Sequence, residues 1–279
     1  MRWTKKNAQE RIYIFSFMVS LIAIGLLYIC NFWIFKSDNG LNYGLNRILA
    51  YVAPLIFVFV VCLFSGNISK IEFHKKGIVT GVLLGWLIIA NGVYGFVSSY
   101  VSFDKSSISF PSMKKIILFT VVMLLVGILE EVLCRGVILN NMLNKWGYTK
   151  TGIIKSVILS SLIFGVAHLV NLIVFPTLIM ATVTQVIYNF LTGVLFASIY
   201  LRCKNIWAVV VLHAIYDWLA MVSDIYHTVA APGAPVDTSV VSGLITSMLY
   251  IPFALVGFFL LRKVFYEYMS KSEIDTKSV

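Results

Sequence analysis

Apolar runs of about twenty residues recur along this sequence, and roughly 20 such residues are what a helix needs to cross the hydrocarbon core of a bilayer. They lie near 12–35, 47–65, 77–100, 115–143, 153–174, 178–201, 205–225 and 240–262. In lipid a backbone must satisfy its own N–H and C=O groups, so runs of this kind fold as helices. The fold class expected is all-α, a polytopic membrane bundle of about eight transmembrane helices. At 59% hydrophobic and 12% charged residues, the chain lies outside the composition of soluble domains. Its first run follows a basic segment but is too long for a signal-peptide core and has no small-residue cleavage site after it, so it reads as a spanning helix. The fourth run exceeds what a bilayer needs and is expected to tilt or project beyond it.

The formal charge of +10 is informative through its placement. Counting spans from the N-terminus, Arg2, Lys5, Lys6, Arg11, Lys70, Lys75, Lys76, Lys145, Lys150, Lys155, Arg202, Lys204, Arg262, Lys263, Lys271 and Lys277 all fall on the N-terminal side of the membrane. The opposite side holds Lys36, Arg47, Lys105, Lys114 and Lys115. Cytoplasmic loops collect Lys and Arg, which predicts both termini in the cytoplasm and an even number of spans. The charge therefore reads as topology, with membrane lipid as the partner and no nucleic acid. Within one integral membrane domain, residues 1–110 form N-terminal helices, 111–225 a polar-centred core, and 226–279 a last helix with a polar tail, EYMSKSEIDTKSV, expected to be unstructured. The connections SDNGLNYGLN, SFDKSSISFPSMKK and HTVAAPGAPVDTS are turn-rich and too short to be domains. The four cysteines are widely spaced, without a CxxC pair, so neither a disulfide framework nor a thiolate metal site is indicated.

Against this background the stretch LEEVLCRG stands out, because it places Glu130, Glu131 and Arg135 within a span. A charge at the centre of a spanning helix costs about 2.5–3.5 kcal/mol on insertion scales and is rare unless it faces a polar interior. His168, His213 and Asp217 also lie within spans, whereas His74 is in a loop and His227 at a span edge. Glu131 and Arg135 are four apart and share a helix face, while Glu130 points about 100° away. His213 and Asp217 are likewise four apart, so the carboxylate can orient the imidazole. Gln185 and Asn189 offer a polar pair in the sixth span, explained equally well by helix-to-helix hydrogen bonding.

Such a set allows hydrolysis: a carboxylate in an apolar cavity is a stronger base than one in water, and a neighbouring imidazole can hold the water or stabilise an oxyanion. The same atoms could bind Zn²⁺ through Glu130, His168 and His213 with an open water position. For Glu131 with Arg135, a structural ion pair is the simpler reading, and Cys134 reads as a bystander. Two non-enzymatic readings use the same cluster, a proton-coupled transporter and a non-catalytic membrane scaffold.

The stretches EEVLCR, FGVAH (Phe164 to His168) and HAIYD (His213 to Asp217) resemble the motifs EExxxR, FxxxH and HxxxN/D of the CPBP (Abi) family. This family holds the type II CAAX prenyl endopeptidases and bacteriocin-processing or immunity proteases, and the resemblance covers roughly residues 110 to 225. It implies an intramembrane endopeptidase of a prokaryotic cell membrane acting on a membrane-associated, prenylated or otherwise lipidated peptide, in CAAX-type processing, bacteriocin self-immunity or peptide-signal maturation. It further implies that Glu130 activates water with His168, that His213 and Asp217 hold the oxyanion, and that Glu131 and Arg135 support the site. The family's picture favours glutamate-activated water, with no cofactor required and Zn²⁺ as the alternative. One departure is Asp217, where the best-known CAAX-processing members have Asn. An ionised Asp would repel an oxyanion, so Asp217 is either protonated or serves His213 or a metal.

Overall fold

The computed structural model describes residues 2–34, 44–102, 110–226 and 237–277, with side chains placed between 11 and 266 of these. His227 and most of the connections SDNGLNYGLN and HTVAAPGAPVDTS lie outside the described residues. The helices are α1 (Arg2–Tyr28, continued as a π-helix over Ile29–Ile34), α2 (Leu45–Ala50), α3 (Val52–Phe64), α4 (Ile78–Leu84), α5 (Trp86–Ser102), α6 (Met113–Glu131, continued as a π-helix over Val132–Leu139), α7 (Asn140–Trp146), α8 (Lys150–Ala167), α9 (Asn171–Val174), α10 (Ile179–Cys203), α11 (Ile206–Met221), α12 (Ser223–Tyr226), α13 (Val240–Leu249) and α14 (Ile251–Lys277).

All eight apolar runs are helical, but they do not all cross in the same way. Six are long and apolar enough to span a membrane unaided: 11–34, 45–64, 113–146, 150–174, 179–203 and 240–266. The run at 77–100 is instead α4 and α5, bent by 60° between them. The bend falls at Gly85, where a Cβ would collide with the Leu212 side chain of α11. The run at 205–225 yields α11, whose 16 residues reach about 24 Å at 1.5 Å each, short of a ~30 Å core. At the C-terminus helix continues through Lys277, where the tail was expected to be unstructured. Once α14 is nucleated within the bilayer, each further residue adds a hydrogen bond without a new nucleation cost.

The bundle is organised around two helices. The span Met113–Trp146 is the most enclosed of the six, 44% buried against 22% for 11–34 and for 240–266. Its neighbour α10 packs on α8, α13 and α14, while α11 packs on α4, α5 and α6. Close approach at two crossings depends on missing side chains: a Cβ on Gly127 would lie 2.9 Å from the Val210 carbonyl oxygen, and one on Gly165 would lie 2.6 Å from that of Val186. Four hydroxyls inside the spans are satisfied by their own helix, as Ser156, Ser161, Thr192 and Ser198 each donate to the carbonyl four residues back. Ser112, Thr149 and Asn205 cap α6, α8 and α11 by accepting from Lys115, Gly152 and Trp207 backbone N–H groups.

Candidate active site

The polar cluster gathers where the α6 helix changes pitch. Val132–Leu139 runs as a π-helix, an insertion that costs regular hydrogen bonding and is frequent at functional sites. Asn140 repairs part of that cost by donating its side-chain amide to the carbonyl oxygens of Arg135 at 2.7 Å and Gly136 at 3.2 Å. The arrangement leaves Glu130 and Glu131 in different surroundings.

Glu131 is fully buried, and its Oε1 is the hub of the site. Arg135 Nη1 donates to it at 2.8 Å, and His213 Nδ1 lies 2.8 Å away on the other side. Arg135 also donates Nη2 to the Gly193 carbonyl oxygen at 3.1 Å, and its guanidinium lies over the Phe164 ring at 4.8 Å and the Phe196 ring at 5.4 Å. A bidentate, stacking cation is what Arg offers and Lys does not. Phe196 in turn stacks on His213 with ring centroids 5.2 Å apart. The imidazole is thus held by a hydrogen bond on one edge and an aromatic face below.

The opposite nitrogen faces the remaining carboxylates. His213 Nε2 lies 3.6 Å from Glu130 Oε2 and 3.5 Å from Asp217 Oδ2. The Glu130 side chain keeps 31% of its surface accessible, against none for Glu131. It opens onto a cavity of about 150 Å³ walled by Ala23, Ile24 and Leu27 of α1, Leu133 and Phe164. His168 lines the same cavity, on the 3₁₀ turn His168–Val170 that ends α8, with its Nδ1 3.0 Å from the Phe164 carbonyl oxygen.

Every residue singled out in the three motifs therefore falls in one region, with one difference in pairing. Among the described residues the ionic contact of Glu130 is with His213, while His168 shares its cavity without a direct contact between them. Asn171 lines the same cavity and donates its side-chain amide to Gln185 Oε1 at 2.8 Å, so Gln185 serves helix-to-helix bonding. No group of three His, Cys, Asp or Glu side chains among the described residues converges so as to hold a metal ion.

Several participants carry no polar signal in the sequence. Gly193 and Phe196 of α10 and Tyr28 of α1 are unremarked residues in apolar runs, yet the first two fix Arg135 and His213. Tyr28 donates its hydroxyl to the Val170 carbonyl oxygen at 3.1 Å, closing the cavity from the α1 side. Buried Tyr51 hydrogen-bonds Arg47 within electrostatic reach of Glu130 and Asp217, which brings the start of α3 to the site.

Residues 112–219 match the family model described as Type II CAAX prenyl endopeptidase Rce1-like. No curated protein and no solved structure matches the chain. The matched segment starts at the cap of α6 and ends within α11, so it contains all three motifs and the whole Glu130–Glu131–Arg135–His168–His213–Asp217 cluster. Through this segment, set in a multi-pass helical bundle, the chain is similar to the type II CAAX prenyl endopeptidases that the family model describes.

Proposed function

We propose that the protein is an intramembrane endopeptidase that hydrolyses a peptide bond in a membrane-associated, lipidated peptide of CAAX type by means of a glutamate-activated water. The observation that carries this reading is the division of labour between adjacent carboxylates. Glu131 is neutralised by Arg135 and occupied by His213, while Glu130 is left accessible in an apolar cavity beside two imidazoles.

Glu130 accepts a proton from water as the water oxygen bonds to the scissile carbonyl carbon. His168, across the same cavity, orients that water. The carbonyl oxygen takes the negative charge, and His213 donates to it from Nε2, held in place by Glu131 on Nδ1. Asp217 serves His213 from the Nε2 side instead of meeting the oxyanion as an ionised group. Collapse of the tetrahedral intermediate breaks the C–N bond, and Glu130 returns its proton to the departing amine. A cavity of about 150 Å³ suits one apolar side chain, since an engineered cavity of that size takes a single benzene. The lipid chain of the substrate then lies outside the cavity, in the bilayer. The reading puts cleavage near the cytoplasmic leaflet, the side to which the charge asymmetry of the sequence assigns the basic ends of the spans.

The test is mass analysis of products after incubation of a prenylated CAAX-type peptide with the protein in liposomes. Two fragments whose masses sum to the peptide plus one water, absent with Glu130→Ala or His168→Ala at equal membrane levels, are expected. An intact peptide bound by the wild type would make the protein a scaffold.

A further inference from the structure

At the end of the bundle where α3, α7 and α10 finish, a second and larger cavity of about 540 Å³ is lined by Ser69, Lys70, His74, Asn144, Tyr148 and Lys204. Among the described residues no Asp or Glu lines it. Its floor is Asn140, whose side-chain amide donates to the Tyr200 hydroxyl at 2.9 Å as well as to the carbonyls of the catalytic helix. The volume lies within the range of small-molecule sites.

The walls are held in place by the fold. The connection from residue 65 to 77 has only one 3₁₀ turn of regular structure, yet it is pinned from two helices. Buried Asn67 donates to Asn141 Oδ1 at 2.9 Å and accepts from Asn144 at 3.3 Å. Trp207 Nε1 donates to the Ile71 carbonyl oxygen at 3.1 Å. Fully buried Asn205 donates to the carbonyl oxygens of His74 at 2.7 Å and Lys76 at 2.9 Å. Lys204 closes the opposite wall with a φ of 55°, among the described residues the one non-glycine in the left-handed region. Gly or Asn meets that conformation more cheaply, so the position keeps a Lys against its backbone preference.

We propose that this cavity binds the phosphate of an anionic phospholipid headgroup, with Lys70 and Lys204 as its cations and the Ser69 hydroxyl beside them. The chemistry is that of two ammonium groups in a pre-formed polar cavity with no Asp or Glu among its described lining residues. The source follows from position: the cavity lies at the end that carries Lys75, Lys76, Lys145, Lys150 and Arg202, which charge asymmetry assigns to the cytoplasmic leaflet where anionic lipids concentrate. This inference does not depend on peptide cleavage.

The experiment is native mass spectrometry of the full chain equilibrated with equal phosphatidylglycerol and phosphatidylcholine, comparing wild type with Lys70→Gln/Lys204→Gly. Because Gly suits the backbone at 204, Lys204→Gly alone is expected to keep or raise the thermal midpoint, which separates binding from folding. Wild type is expected to retain phosphatidylglycerol selectively, the double variant to lose roughly tenfold or more of that selectivity, and excess inorganic phosphate to leave retention unchanged. Equal selectivity in the double variant, or displacement by inorganic phosphate, would overturn the proposal.

Discussion

Glu131 and Arg135 show how a charge is made tolerable inside a bundle. Arg135 is almost fully buried, and removing it would leave Glu131 uncompensated with its Oε2 lacking a partner among the described residues. Arg135→Ala is therefore expected to destabilise by about 3–5 kcal/mol, read as a lowered thermal midpoint in detergent. A Glu131→Leu/Arg135→Met double variant should recover much of that loss while remaining inactive, since His213 then has no anchor. Asp217 is the other residue with a sharp expectation. Asn at 217 keeps a polar contact with His213 Nε2 and can donate to an oxyanion, so Asp217→Asn should retain most activity in the peptide assay. Asp217→Ala leaves His213 Nε2, the proposed oxyanion donor, without its positioning partner and should lose roughly 10²–10³-fold, on the scale of losing that donor. These acids were legible in the sequence because a charge in an apolar run is conspicuous. Gly193, Phe196 and Tyr28 were not, because an apolar residue in an apolar span looks the same whether it faces lipid or a guanidinium.

Between residues and the whole molecule, the helices position the site through close crossings and long-range caps. Gly127 brings α6 against α11, the helix that bears His213 and Asp217. Gly127→Val should push the two helices apart and reduce kcat/KM by about 10²-fold, as expected for an approximately 1 Å misplacement, while a peptide-binding assay shows a smaller change. The α10 N-terminus is capped from a distance: Asp237 accepts from the Met180 and Ala181 N–H groups, each at 2.8 Å, and from Thr238 N–H. Those hydrogen bonds, that of Ala181 foremost, hold its carboxyl below the ordinary Asp range. A carboxylate with a depressed folded-state value contributes stability that is present above the unfolded Asp value of about 3.9 and is lost as pH falls through the folded one. The thermal midpoint of the wild type should drop over that acid interval, and Asp237→Asn should flatten the drop. The span boundaries were readable from hydropathy to within a few residues. The bend at Gly85 was not, because it depends on Leu212, more than a hundred residues away in the chain.

For the molecule as a whole, the segregation of basic residues predicts one orientation. In a cysteine-free background, Thr151→Cys should react with a membrane-impermeant thiol reagent only after permeabilisation, and Phe110→Cys should react in intact cells. The reverse pattern would invert the topology and move the site to the other leaflet. The all-helical, multi-pass architecture was legible from run length alone, and the order of three polar motifs pointed to the family. What pattern could not convey was the assembly. Sequence spacing paired Glu131 with Arg135 and His213 with Asp217, but only packing brings α6, α8, α10 and α11 together so that His213 bridges Glu131 and Glu130. The same packing turns α1, which carries no motif, into a wall of the cavity.

The central claim is that the Glu130 carboxylate activates water. It is tested most directly by kcat/KM for a lipidated peptide in liposomes, with wild type and Glu130→Gln each assayed with and without a strong chelator. Glu130→Gln preserves shape and hydrogen bonding but cannot take a proton, so a loss of about 10²–10⁴-fold or more is predicted, with wild-type activity unchanged by the chelator. Activity retained in Glu130→Gln, or abolished by the chelator and restored by Zn²⁺, would contradict the account.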